Sequence, residues 1–259
     1  MGKISIIMSC YKSNFEYLSE QICSIVNQTI TNWELLIYND GTDGLYDWLI
    51  MEGFLSIPNI KYFNNGHLGY SKAYNFLLKE ATGEYVCFCD HDDIWEPNKL
   101  EVEKNYLDKH KDIDCVFSWL HWFGDREKFE TFDISDEEIS KELYFWQPIK
   151  HPSTMFRRER FEEFDAPFDC AADFWFWAKH KDRHYHLIKK FLVNYRRHAG
   201  EATKDKTTFR LNSAKVIQHN LEERFPDCVF PLELCETFDR YSKKYDKSLK
   251  ERFEREIWK

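Results

Sequence analysis

Residues 81–101 read ATGEYVCFCDHDDIWEPNKLE, and the fold turns on them. A small-residue turn at Ala81 to Gly83 feeds an apolar run, Tyr85 to Cys89, of the length and composition of a buried strand. The run ends in four polar residues, Asp90, His91, Asp92 and Asp93. Pro97 then sits near the first turn of an amphipathic helical stretch. Three carboxylates crowded at the exit of a buried strand repel one another and lose hydration, so the cluster calls for a compensating cation. Oxygen donors of this kind suit Mg²⁺ or Mn²⁺, which usually hold a substrate phosphate as well. The plain alternative is a polar strand-to-helix turn with an aspartate as cap.

Working outward, strand and helix signals alternate through the first 120 residues. Strands are expected at Ile4 to Ser9, Glu34 to Asn39, Ile60 to Phe63 and Cys115 to Trp119. Helices are expected at Phe15 to Gln28, Tyr46 to Phe54, Ser71 to Glu80 and Glu96 to His110. Such alternation predicts a mostly parallel central sheet flanked by helices, with right-handed crossovers. Ligands gather at the carboxyl ends of such strands. Three polar strand ends then share one rim: Ser9-Cys10-Tyr11, Asn39-Asp40-Gly41 and Asp90 to Asp93. Residues 125–141 read as an acidic loop with a short helix. Beyond residue 200 strand signals vanish, and charged amphipathic helices are expected at Thr207 to Arg224 and Leu232 to Trp258, broken by Pro226 and Pro231. This divides the chain into an α/β domain, 1–200, and a helical extension, 201–259.

A 43% hydrophobic, 31% charged chain of 259 residues suits one globular α/β domain with an appendage. Its net charge of −9 argues against broad nucleic-acid binding. The eight cysteines show no zinc-ribbon spacing and read as reduced thiols. No apolar run approaches the ~20 residues that cross a bilayer, and KISIIMS opens as a strand rather than a signal peptide. A cytoplasmic protein, with peripheral contact at the inner face of a membrane as an option, is the expectation.

Two blocks, SIIMSCYKSNFEYLSEQICSIVNQTITNWELLIYNDGTDG and GYSKAYNFLLKEATGEYVCFCDHDDIWEPNKLE, resemble the family 2 glycosyltransferases, nucleotide-sugar enzymes of the GT-A fold. The similarity is close to continuous over residues 3–101 and thins to HPSTMFRRERF, AADFWFW and YRRHAGEAT. It implies that Ser9 and Tyr11 line a base pocket and that Asp40 accepts the ring N–H of a uracil-type base, favouring a UDP- or dTDP-sugar donor. It further implies that Asp92 contacts the ribose or metal edge, that Asp93 binds the Mn²⁺ or Mg²⁺ bridging the donor phosphates, and that His198 lies near the diphosphate or metal. Asp173 would be the general base, and His151 either an acceptor-side group or a structural one. Three positions depart from the family pattern. Ala172 precedes Asp173 where Glu is frequent, Asn39 replaces the first Asp of a "DDG" turn, and Tyr74 stands where Arg is frequent. Lys72, nearby, is a substitute for the phosphate contact.

The chemistry is coherent without the family. A carboxylate takes the proton of an attacking sugar hydroxyl, and a divalent cation offsets the charge developing on the leaving diphosphate. One base opposite the leaving group predicts inversion at the anomeric carbon. The expected function is a metal-dependent inverting glycosyltransferase acting on a saccharide, glycoprotein or lipid-linked glycan acceptor in surface polysaccharide or glycan synthesis. The alternatives are a sugar nucleotidyltransferase and a non-catalytic glycan-binding module. The C-terminal helices would serve homo-oligomerisation or membrane docking. Trp119, Trp122, Trp146, Trp175 and Trp177 are either a sugar-stacking platform or core.

Overall fold

The computed structural model describes residues 2–200, 205–239 and 244–258. They form two compact units: Met1–Asp136 with Ile149–Asp165 and Arg183–Ala199, and Glu137–Pro148 with Ala166–Asp182 and Gly200–Lys259.

The first unit begins as an alternating α/β chain: β1 (Ile4–Cys10), α1 (Phe15–Val26), β2 (Trp33–Asn39), α2 (Leu45–Met51), β3 (Ile60–Phe63), α3 (Tyr70–Glu80) and β4 (Tyr85–Cys89). It continues through β5 (Ile94–Trp95), α4 (Lys99–Lys109), β6 (Cys115–Gly124) and the hairpin strand β7 (Lys128–Glu130). β8 (Met155–Arg157) and β9 (Tyr185–Arg197) complete it; α5 (Asp136–Glu142), which precedes β8 in sequence, and α6 (Ala172–Lys179), which precedes β9, group with the second unit. The described strands make one sheet in the order β3-β2-β1-β4-β8-β6-β9-β5, with β7 on the flank of β6. β3, β2, β1 and β4 are parallel neighbours, β8 runs against β4 and β6, and β6 pairs parallel with β9. The sheet is mixed and mostly parallel, as the alternation predicts. Every residue of β2 and β4 is buried, the pattern of strands covered on both faces. α1 is opened by Asn14, whose side chain accepts from Glu16 N–H and Tyr17 N–H, and it lays Leu18, Ile22 and Ile25 into the core.

Three differences have physical causes. The helix expected from Glu96 starts at Lys99, because Ile94 and Trp95 are drawn into the sheet against Asn194 and Val193. β9 escapes the sequence reading because its alternation breaks at the exposed Lys189 and Lys190. There the register with β6 jumps from Ser118–Ile188 to Trp119–Phe191, leaving two residues bulged. The polar stretch 125–141 contributes β7 to a hairpin with β6 and then α5.

At the amino ends of the parallel strands, the buried Glu34 gathers five donors. These are Lys3 Nζ (2.8 Å), Lys61 Nζ (3.0 Å), Ser5 Oγ (2.7 Å), Thr82 N–H (2.9 Å) and Thr82 Oγ1 (2.7 Å). Burial alone would raise its pKa, but bonds from Lys3, Thr82 and Ser5 hold it well below the usual carboxylate range.

The second unit is helical: α5, α6, α7 (Lys206–Arg224), α8 (Leu232–Phe238) and α9 (Lys247–Ile257). Residues 137–148 and 166–182 group with the C-terminal helices because Tyr144, Phe145, Phe174 and Ala178 share a core with Val216, Ile217, Leu221 and Phe238. The stretch expected as one helix through Leu232 to Trp258 is two helices. Asp246 caps the second by accepting from Leu249 N–H, and residues 240–243 lie outside the described residues. Trp146 and Trp177 are buried here, and Trp175 stacks on His219 at 4.5 Å.

Candidate active site

The carboxyl ends of β1, β2 and β4 meet on one rim of the first unit. Register sets Cys10 against Asn39 and Met8 against Cys89, and Asp40 N–H donates to Cys10 O (2.8 Å). Asn39 shapes the turn: its Oδ1 accepts from Gly41 N–H (3.1 Å) and Thr42 N–H (2.7 Å), and its amide donates to Thr42 O (3.0 Å). That explains asparagine at this position, since the amide both accepts and donates where a carboxylate only accepts. Asp40 is 3% exposed, and its Oδ1 accepts from Leu68 N–H (2.6 Å) and Gly69 N–H (3.1 Å). Its Oδ2 makes no hydrogen bond among the described residues. Tyr11 is half exposed and stacks on His67 at 5.3 Å. Gly41, at φ +129°, lets the Tyr11 ring lie against the turn, since a Cβ there would sit 3.1 Å from two ring carbons. Ser9 is half-buried at the end of β1, opposite Tyr38.

The acidic cluster separates into an inner and an outer aspartate. Asp93 has no exposure; Arg196 N–H donates to its Oδ1 (2.9 Å), while its Oδ2 is buried without a partner among the described residues. Burial, then the charges of Asp92 and Asp90, push its pKa well above the usual carboxylate range. Asp92 is the outer one, and its Oδ2 lies 2.9 Å from His198 Nε2. Asp93, the expected metal ligand, is thus buried in the turn after β4, whereas Asp92 beside it stays partly exposed. The pair that converges at the partly exposed edge of the rim is Asp92 and His198. No group of three or more His, Cys, Asp or Glu side chains among the described residues is arranged to hold an ion. Two donors nevertheless fit Mn²⁺ or Mg²⁺, which complete their coordination with water and substrate phosphate oxygens. Imidazole beside carboxylate favours Mn²⁺ of the two. Of the YRRHAGEAT block, Glu201 to Thr203 lie outside the described residues.

Lys72 is exposed on α3 and makes no ion pair among the described residues. Tyr74 is core instead, packed against Phe88, Phe164 and His151. Asn75 fastens Phe164 through both of its backbone groups (2.7 Å each). His151 is buried: 5% exposed, stacked on Phe88 at 4.1 Å and 3.0 Å from Tyr70 Oη. Burial pushes its pKa down to about 3. Asp173 lies in the second unit, in the first turn of α6, where Gln147 Nε2 donates to its Oδ2 (2.9 Å). The residue before that helix, Ala171, sits at φ +68°, a strained conformation for alanine. Trp119 and Trp122 are half-buried, their indole N–H groups donating to Phe132 O and Glu130 Oε2 (3.0 Å each).

Sequence reasoning brought Ser9, Tyr11, Asp40, Asp92, Asp93 and His198 to the same rim and missed His67 and Arg196. His67 carries only a loop signal, NNGH before a helix. Arg196 stands two residues from a histidine already singled out, and that proximity was the available cue.

A family model for glycosyl transferase family 2 matches residues 5–179. WfgD of Escherichia coli, a UDP-Glc:alpha-D-GlcNAc-diphosphoundecaprenol beta-1,3-glucosyltransferase, is 36% identical over 175 residues, covering 67% of this chain and 68% of that protein. The structure of S. aureus TarS 1-349 in complex with UDP-GlcNAc matches with a TM-score of 0.63 at 20% identity, over 86% of this chain and 73% of that one. The mannosyltransferase PcManGT of Pyrobaculum calidifontis, in complex with GDP-Man and Mn²⁺, matches with a TM-score of 0.62 at 15% identity, over 92% and 70%. Across three curated relatives the chain spans between 59% and 70% of their length. The sheet order, the polar rim and the family match together place this chain in glycosyl transferase family 2, as a glycosyltransferase of the GT-A fold.

Proposed function

We propose that the protein transfers a sugar from a UDP- or dTDP-sugar to a hydroxyl of a saccharide acceptor, with inversion and with a divalent cation, in surface polysaccharide synthesis. The convergence of Asp92 and His198 beside the Tyr11–Asp40 end of the rim is the observation that carries this reading. WfgD, by its name, uses UDP-Glc and a diphosphoundecaprenol-linked GlcNAc, which favours a lipid-linked glycan among the acceptor classes. Such an acceptor would bring the enzyme to a membrane face; no helix among the described residues is long and apolar enough to cross one.

The roles follow from what each side chain is free to do. Tyr11 offers an exposed ring for stacking on a pyrimidine, worth about 1–3 kcal/mol. Asp40, with Oδ1 fixed by two backbone N–H groups, directs Oδ2 as acceptor for the base N–H. Lys72 is an exposed cation for the phosphates. Asp92 and His198 would hold Mn²⁺ or Mg²⁺, which when bound offsets charge on the leaving diphosphate. Asp173, its carboxylate steadied by Gln147, is the base that takes the acceptor proton.

The test is UDP release from UDP-sugars with Mn²⁺ present and after chelation, in wild type and Asp173→Asn. Metal-dependent release that falls about 10²–10⁴-fold in the variant supports the reading. Equal thermal stabilisation by GDP and UDP would remove the Asp40 assignment. UDP binding without any turnover would leave a donor-binding module.

A further inference from the structure

Arg196 is the last link between the final strand of the sheet and the acidic turn. Its backbone N–H donates to Asp93 Oδ1 (2.9 Å), and its side-chain Nε donates to Asp92 O (2.7 Å). Its Nη2 pairs with Glu20 Oε2 on α1. The guanidinium lies between two rings, 4.2 Å from the centroid of Tyr17 and 4.4 Å from that of Phe123, and the side chain is only 11% exposed. Two residues later His198 meets Asp92, and the edge of its ring packs on the same Tyr17 at 5.3 Å. The aspartates and the histidine are more than a hundred residues apart in sequence, and Arg196 touches the turn through two separate bonds.

We propose that Arg196 is a positioning residue for the metal edge: it fixes the distance between Asp92 and His198, and so sets the affinity of the rim for a divalent cation. The inference rests on the assignment of Asp92 and His198 as the metal-holding pair. Arginine is required by geometry rather than charge. A planar guanidinium offers Nε and Nη2 as separate donors in diverging directions and stacks on aromatic rings; a lysine keeps the charge but gathers its donors on a single terminal nitrogen. Groups that orient metal ligands from behind typically change metal affinity by about 10–100-fold when removed.

The experiment is a Mn²⁺ titration of the full chain, followed by electron paramagnetic resonance in the presence of UDP, with UDP affinity in chelator measured alongside. Arg196→Lys is expected to raise the Mn²⁺ dissociation constant about 10-fold or more, leaving metal-free UDP affinity unchanged and the circular dichroism spectrum native. Phe123→Leu withdraws one ring face, leaves the hydrogen bonds in place and is expected to weaken Mn²⁺ about twofold to fivefold; it decides the matter if Arg196→Lys does not fold. Mn²⁺ affinity equal to wild type in folded Arg196→Lys, or in Phe123→Leu where Arg196→Lys does not fold, overturns the proposal while the donor reading stands. Absence of Mn²⁺ binding in the wild type overturns the metal-pair assignment itself, and the proposal with it.

Discussion

Glu34 and Asp93 are both buried carboxylates of the same unit, at opposite ends of the parallel strands, and the protein treats them oppositely. Glu34 receives five hydrogen bonds, two of them from lysines, and is held ionised. Asp93 receives one from Arg196 N–H, leaves Oδ2 without a partner among the described residues, and faces two more aspartates. The amino-end acid is an interstrand clasp whose charge is fully answered within the fold. Asp93 keeps one oxygen without a partner among the described residues beside two further aspartates, an arrangement that suits a cation arriving with the substrate. On the proposed reading the amino rim would serve stability and the carboxyl rim chemistry, in keeping with where α/β sheets bind ligands.

Substitution at each end should separate the two. Asp92→Asn is expected to lower turnover about 10²–10³-fold while the melting temperature holds or rises, because repulsion within the cluster is relieved. Steady-state kinetics beside differential scanning fluorimetry reads both; a clear drop in melting temperature would erase the distinction between the rims. Glu34→Gln should do the reverse, costing about 2–3 kcal/mol in urea unfolding through the lost ion pairs and mismatched donors, with kcat per folded molecule intact. Its pH dependence has a definite sign. A carboxylate with a depressed folded pKa contributes stability that is complete above its unfolded value near 4.5 and drains away as pH falls. The acid limb of the wild-type stability profile should therefore flatten in Glu34→Gln, and identical limbs would show that other groups govern acid unfolding. The smallest effect is expected from Gly41→Ala: about 1–2 kcal/mol of stability from the positive φ, with weaker UDP binding as Tyr11 is displaced. Calorimetric UDP affinity equal to wild type would detach Tyr11 from the base.

The parallel half of the sheet was legible because β2 and β4 are uniform apolar runs punctuated by polar exits, signals carried within a few residues. In the distal half only β6 was, through its Cys115–Trp119 run; β9 interrupts its own alternation and β8 is three residues long. Within the site, residue types were legible and orientations were not. Asp92 and Asp93 are adjacent and chemically identical in sequence; which one points outward is decided by a strand more than a hundred residues away, through Arg196. Asp173 stood out only through its similarity to a family segment, because an acidic residue in the first turn of a helix is common on helix-dipole grounds alone.

The two bulged lysines of β9 gain a meaning from this. Across the bulge β6 advances one residue, about 3.3 Å, while β9 uses three, so Lys189 and Lys190 are surplus length taken up outside the ladder. Removing that pair would let Phe191 follow Ile188 without a jump in register, with Phe191 still opposite Trp119 and the pairing through Gly124–Arg197 unchanged. The irregularity absorbs a mismatch in strand length near the start of β9, marked by the Lys189–Asp133 ion pair, and leaves the Asp92–His198 end in regular register.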